Sequence, residues 1–246
     1  MQITKMLVPQ SKYDIKCPYA MNPEFIIVHN TANDASAMAE VSYMIGNNNK
    51  TSFHCAVDNT RIVQGIPFNR NSWNAGDGKN GEGNRKGISI EICYSKSGGE
   101  RFDEAEKLAA EYIAYLLKQY NWGIDRVKKH QDFANKYCPH RTLDLGWERF
   151  LNMIRSYLED KSENNENTYN ENVENGSDEE LKRYQNGSTT EVVYADTACT
   201  KRIGSLDPRE SCDCFGIFND RAMVRYQVNG TNNYKIGFCK WLGGVK

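Results

Sequence analysis

Residues 87–94 read GISIEICY, and residues 103–123 follow as DEAEKLAAEYIAYLLKQYNWG. In the first stretch Ile88, Ile90 and Ile92 alternate with Ser89, Glu91 and Cys93, the period of two that a β-strand imposes on its two faces. In the second, Leu108, Ala109, Tyr112, Ile113, Leu116, Leu117 and Tyr120 recur at three- and four-residue spacing. Acidic residues fill the first turn and Gly123 is the expected stop, so the pattern predicts an amphipathic helix. A strand feeding directly into a long helix is the unit of an α/β fold. FIIVHN (25–30) and FHCAVD (53–58) are further strand candidates, with the helical pattern SAMAEVSYMIG (36–46) between them. GWERFLNMIRSYLE (146–159) is another helix, presenting Trp147, Phe150, Leu151, Ile154 and Leu158 on one face. The expectation is a mixed central sheet flanked by helices over residues 1–160.

Residues 161–183, KSENNENTYNENVENGSDEELKR, carry seven acidic and three basic side chains and almost nothing apolar. Such a segment cannot bury enough surface to offset the entropy of ordering it, so it reads as a linker, with a short helical turn at DEELKRY. A flexible coil of this length spans roughly 25–30 Å. Beyond it, residues 184–246 change texture: TTEVVYAD, KRIGSLD, CDCFGIFND, RAMVRYQVNG and YKIGFCKWL are short strand candidates set off by Gly, Asn, Asp and Pro. They predict a small all-β barrel without a histidine, and chemistry is expected in the first domain.

Composition narrows the function classes. The formal net charge of the 246 residues is −1, which gives no electrostatic case for nucleic acid. No run approaches the roughly 20 apolar residues of a membrane span. MQITKMLVPQSKYDIKC at the N-terminus has no signal-like apolar core, so the expected location is the cytosol. The eight cysteines show no compact disulfide spacing and read mainly as small buried thiols.

The chemistry gathers around the histidines, of which there are four. His29 ends the apolar run EFIIVHNT, where α/β sheets build their sites, though a lone histidine there can equally bond a loop carbonyl. KHQDFANKYCPHR (129–141) adds His130 and Cys138. Imidazole and thiolate are preferred zinc donors, and two histidines with one cysteine leave a fourth position for water. The eight-residue spacing is only moderately specific, and Cys138-Pro139 can also be a buried turn. Glu91, in mid-strand opposite the isoleucines, is a candidate general base and acid, because a carboxylate there is costly unless it has a task; a structural salt bridge is the alternative.

Taken in order, HNT, SFHCAVD, SWNAGDG, GISIEI and KHQDF…KYCPHR resemble the zinc-dependent N-acetylmuramoyl-L-alanine amidases, specifically phage endolysin amidases related to the peptidoglycan recognition proteins. The resemblance covers the whole first domain. It implies His29, His130 and Cys138 as ligands of Zn2+, Glu91 as the proton shuttle and Lys136 as the cation that stabilises the oxyanion. It also implies hydrolysis of the amide between N-acetylmuramic acid and L-alanine. The alternative is a peptidoglycan-binding protein without turnover, but such proteins of this fold typically lack the cysteine. Two positions depart from the family pattern: Phe53 stands where many relatives have tyrosine, and Asn74 where relatives often have histidine. Phe53, His54 and Asn74 are candidate substrate contacts, with core packing equally open for His54. Asp132 can orient a ligand by a hydrogen bond or cap the turn DFANKY, with the cap preferred, and His140 reads as structural.

Residues 184–246 resemble the SH3-like cell-wall-binding domains of clostridial phage endolysins, carried by VVYADTACTKRIGSLDPRESCDCFGIFND and VNGTNNYKIGFCKWLGGV. Tyr194, Phe215, Phe218, Tyr226, Tyr234 and Trp241 are aromatic faces suited to sugar or peptide, although most must form the core of so small a barrel. The implied partner is bacterial peptidoglycan, with neither nucleic acid nor membrane insertion, and the C-terminal domain is a candidate oligomerisation module. Without a signal peptide, the implied course is accumulation in the host cytoplasm, holin-dependent release and host lysis.

Overall fold

A computed structural model describes residues 3–159, 182–195, 199–218, 220–228, 234–242 and 244–245. The chain divides into two compact units.

The first is built on a six-stranded sheet of β1 (Ile3–Lys5), β2 (Phe25–Asn30), β3 (Cys55–Val57), β4 (Ile62–Gln64), β5 (Gly87–Ile92) and β6 (Val127–Lys129). The strand order is β1-β4-β3-β5-β2-β6, and only β3 and β4 run antiparallel. β2 is buried along its whole length, and Ile26, Ile27, Val28, Ile88, Ile90 and Ile92 are fully covered. That is the near-continuous apolar run that a parallel strand covered on both faces requires.

The helices are α1 (Tyr13–Lys16), α2 (Ala37–Gly46), α3 (Glu82–Lys86), α4 (Glu100–Tyr120), α5 (His140–Leu145) and α6 (Trp147–Glu159). α4 buries Phe102, Ala105, Ala109, Tyr112, Ile113, Leu116 and Leu117; of the stripe its periodicity predicts, Leu108 and Tyr120 are only half-buried. Its end differs from expectation. The last turn closes on Asn121, whose backbone is left-handed at φ 53° and whose N–H bonds the carbonyls of Leu117 and Lys118. Gly123 instead opens a 3-10 turn over Ile124–Arg126. Asparagine tolerates this conformation better than most side chains, which is why the helix stops two residues early. α6 packs on α4 through buried Phe150 and Ile154, each contributing about 1.5–3 kcal/mol on full burial. Beside them Arg149 donates to the buried Glu106 of α4 at 2.5 Å.

The second unit contains β7 (Lys182–Gln185), β8 (Glu191–Tyr194), β9 (Arg202–Leu206), β10 (Ser211–Phe218), β11 (Arg221–Gln227) and β12 (Tyr234–Cys239). They form one sheet in the order β7-β10-β11-β12-β8-β9 with every pairing antiparallel. Its core gathers Tyr184, Val193, Leu206, Cys212, Cys214, Ala222, Val224, Tyr226 and Cys239. Tyr226 therefore packs inside, whereas Trp241 is exposed. The side chains of Phe215, Phe218 and Tyr234 lie outside the described residues. So does most of the expected linker. Its last two residues, Lys182 and Arg183, already belong to β7, so the strand begins two residues before the expected boundary; residues 178–181 of the expected helical turn lie outside the described residues. Every described cysteine is a free thiol.

Candidate metal centre

The parallel register lines up the site. His29, near the C-terminal end of β2, pairs with Glu91 on β5; on the other side Val28 pairs with Lys129, which places His130 at the end of β6. Ligand sites in parallel α/β sheets form at these carboxyl ends. Cys138 arrives from the loop that precedes α5, and the donor atoms of His29, His130 and Cys138 all lie within 4.8 Å of one another. The Cys138 Sγ is 4.0 Å from His29 Nδ1, and the two imidazole centroids are 4.6 Å apart.

Burial sets the protonation of this group. Desolvation holds His29 well below the ordinary histidine range, with His130 and Lys136 adding to the effect. It lowers His130 to about 4, aided by Lys136 and opposed by Asp77. Both rings are thus neutral near pH 7, the form that offers a lone pair to a metal. Burial pushes the Cys138 thiol up to about 11. A divalent cation would reverse that preference, since a coordinating thiol is deprotonated outright. His130 Nδ1 is buried without a hydrogen-bond partner, a costly condition that a bound cation held by this set would help to offset. The residues fit a metal ion.

Asn30, which follows His29, was not among the expected site residues. Its Oδ1 accepts the backbone N–H of Arg141 at 2.9 Å and of Thr142 at 3.2 Å. These are orphan donors in the first turn of α5, and no side chain within that helix caps them. β2 therefore ties down the loop that carries Cys138. The sequence signal was a polar side chain directly after the strand-end histidine.

Glu91 Oε1 lies 4.0 Å from His29 Nδ1. Burial raises its carboxyl to about 7; the Asn74 hydrogen bond and Lys136 pull down, while Glu40 pushes up. Asn74 Nδ2 donates to Ser89 Oγ at 2.5 Å and reaches Glu91 Oε1 at 3.2 Å. Asn74 thus sits against the carboxylate. Lys136 is exposed, and its charge acts on His29, His130, Cys138 and Glu91 together, which places its ammonium near the site.

One expected position falls elsewhere. His54 is fully buried, its Nε2 2.8 Å from the Arg70 carbonyl oxygen and its Nδ1 accepting the Ser89 N–H at 3.0 Å. Both ring nitrogens are engaged by backbone, so His54 is a core histidine and not a substrate contact. Phe53 is likewise buried. Asp132 does not cap the turn that follows it. Its carboxylate turns back to the Lys129 N–H at 2.8 Å and to Lys129 Nζ at 2.8 Å, because the 3-10 turn His130–Asp132 brings it there. His140 Nε2 meets the Ser95 carbonyl at 3.3 Å.

The surroundings are as closely fitted. Gly76 has φ +77°, and a Cβ there would lie 2.8 Å from Ala134 Cβ and 3.3 Å from His130 Nε2. Only glycine allows the 73–78 loop this approach to the metal-site histidine.

Residues 19–141, half of the chain, match the family Amidase_2, described as N-acetylmuramoyl-L-alanine amidase. The chain is similar to the N-acetylmuramoyl-L-alanine amidase XlyB of Bacillus subtilis (strain 168), 60% identical over 157 residues, which are 63% of this chain and 50% of XlyB. The amidase CwlA of the same organism is 58% identical over 158 residues, 64% of this chain and 58% of CwlA. The chain thus spans only about half of these relatives' lengths. Among solved structures, PlyL matches with 54% identity and a TM-score of 0.62, over 64% of this chain and 99% of PlyL. Carrying His29, Glu91, His130 and Cys138 within the matched segment, the chain belongs to the N-acetylmuramoyl-L-alanine amidase family.

Proposed function

We propose that this protein is a peptidoglycan hydrolase that cleaves the amide between N-acetylmuramic acid and L-alanine of the stem peptide, as an endolysin that lyses its bacterial host. The observation that carries the reading is the meeting of His29, His130 and Cys138 within 4.8 Å, with Glu91 at 4.0 Å from His29.

His29, His130 and Cys138 would hold Zn2+, leaving a fourth position open. When bound, zinc lowers the pKa of a coordinated water to about 7 and polarises the scissile carbonyl. Glu91 is the proton carrier. Burial that raises its carboxyl to about 7 suits a group that takes a proton near neutrality and returns it. It accepts the proton of the attacking water and delivers it to the alanine nitrogen as the C–N bond breaks, releasing a lactyl carboxylate and a free N-terminal alanine. Lys136 stabilises the negative charge that develops on the carbonyl oxygen. Asn74 holds Glu91 Oε1 toward the reacting centre. With Phe53 at that position, no tyrosine hydroxyl takes part there.

Residues 182–246 act as an SH3-like cell-wall-binding module on a linker of residues 161–181, raising the local concentration of the hydrolase at the wall. Among the described residues no helix is long and apolar enough to cross a membrane. Accumulation in the host cytoplasm and holin-dependent release complete the reading.

Mass analysis of purified walls digested by the protein tests it. New N-terminal alanine with intact glycan is the expected result; new reducing sugar ends, or cleavage between stem amino acids, would replace the amidase by a glycosidase or an endopeptidase.

A further inference from the structure

Residues 95–98 follow β5 and bond to both of the segments that carry His29 and Cys138. The exit of β2 holds them on one side. Ser95 Oγ accepts the Ala32 N–H at 2.8 Å, and the Lys96 N–H donates to the Asn33 carbonyl at 3.3 Å. Asp34 accepts both the N–H and the hydroxyl of Ser97, at 2.8 and 2.7 Å. Ala32 itself is left-handed at φ 58°, a costly conformation for a residue with a Cβ, which these bonds keep in place.

The start of α5 holds them on the other side. Arg141 donates Nε to the Ser95 carbonyl at 2.6 Å and Nη2 to the Lys96 carbonyl at 2.9 Å. Two donors of one planar guanidinium on successive carbonyls fix both its position and its plane. Its backbone N–H goes to Asn30 Oδ1 at 2.9 Å, so Arg141 is tied to β2 at one end and to residues 95–98 at the other. Gly98 makes the room: at φ +69°, a Cβ there would lie 2.5 Å from Arg141 Cζ and closer still to Nη1. Its neighbour Gly99 has the same φ of +69°, with nothing within 4 Å of where a Cβ would stand. What these bonds surround is Cys138. Its carbonyl accepts the Gln131 N–H at 3.0 Å. Burial raises its thiol, and the backbone N–H groups of Asn30 and His140 act against that, favouring the thiolate.

Resting on the zinc amidase reading, we propose that Arg141 is a positioning residue of the metal centre: braced on residues 95–98 and given room by Gly98, it holds the Cys138 sulfur where an ion held by His29 and His130 can bind it. The two histidines take their places from the paired strands β2 and β6. Cys138 lies on a loop, so its place depends on side-chain bonds made around it. Groups that fix a donor raise metal affinity without touching the ion.

The zinc affinity of the full chain, read by competition with a chromophoric chelator, needs neither substrate nor turnover. Arg141→Ala should bind zinc about 10- to 100-fold more weakly than the wild type. Arg141→Lys, which keeps a cation able to reach one carbonyl, should fall between the two. Gly98→Ala should weaken zinc as Arg141→Ala does. Gly99→Ala, with the same backbone conformation but no guanidinium to displace, should not. With Co2+ in place of zinc, the thiolate-to-cobalt absorption of Arg141→Ala should weaken relative to the visible bands of the ion, a change that a general loss of stability does not produce. A zinc affinity in Arg141→Ala equal to the wild type's, equal losses in the two glycine variants, or an unaltered thiolate-to-cobalt band overturns the proposal. If Arg141→Ala does not fold, the glycine pair decides alone. A wild type that binds no zinc sinks the metal reading and this one with it, whereas variants that bind zinc as tightly as the wild type sink the positioning role alone.

Discussion

His29 and Glu91 are direct partners in the parallel register of β2 and β5, and their side chains emerge on one face with Nδ1 and Oε1 4.0 Å apart. The proposed metal donor and the proposed proton carrier are thus set by the hydrogen bonds of the sheet itself, not by a loop. That division of labour can be separated by mutation. Cys138→Ser should lose bound zinc on dialysis and lose lysis of wall suspensions with it. Glu91→Ala should keep its zinc and lose about 10²–10⁴ in rate, the range for a general acid–base. Metal analysis alongside turbidity decides the matter, and zinc retained by the serine variant would remove Cys138 from the ligand set.

Asn74→Ala removes the donor at 3.2 Å from Glu91 Oε1 and its bond to Ser89 Oγ. The turnover number should fall about 10-fold with zinc content unchanged and KM moved less than about twofold, since a hydrogen bond to a charged group contributes about 1.5–3 kcal/mol. A change confined to KM would make Asn74 a substrate contact after all.

His54→Ala exposes the difference between a core histidine and a binding one. Two backbone groups, the buried Ser89 N–H and the partly buried Arg70 carbonyl, lose their partner. Urea unfolding should show a loss of about 2–4 kcal/mol. The molecules that stay folded at low temperature should keep an unaltered KM.

Lys16 predicts an unusual pH dependence. Burial first, then Lys12, lowers its ammonium from 10.5 to about 8. Below about 8 the folded state bears the whole cost of the buried charge. Between about 8 and 10.5 the unfolded chain holds the proton that the folded chain has released, so this residue's contribution to stability rises with pH. Relative to Lys16→Met, the wild type should gain on the order of 2 kcal/mol from pH 7 to pH 10. A pH-independent difference between the two unfolding free energies would show that Lys16 does not titrate there.

What could be read in the sequence was what is local or periodic. The Ile88–Ile92 alternation and the stripe of α4 declare their faces over a few residues, and a histidine at the end of an apolar strand marks a site. Two further donors in one short segment suggest its other half. What could not be read depends on pairings across the fold. Asn30 caps a helix more than a hundred residues away, and Asn74 reaches Glu91 because the loop after Trp73 folds over β5. His54 carried no local mark separating substrate contact from core; only the positions of Arg70 and Ser89 decide it. The Asp132 cap misses in direction and the Gly123 stop in position, within turns where one residue's backbone conformation settles which neighbour is reached.

The strand order has a temporal meaning. β2 is flanked by β5 and β6, so the donors it brings together are residues 29, 130 and 138 of a chain made from one end. A nascent polypeptide that has emerged as far as β5 already contains His29 and Glu91 but lacks two of the three donors. The proposed donor set is complete only once the chain extends through β6 to Cys138 and the turn behind it that Asn30 holds.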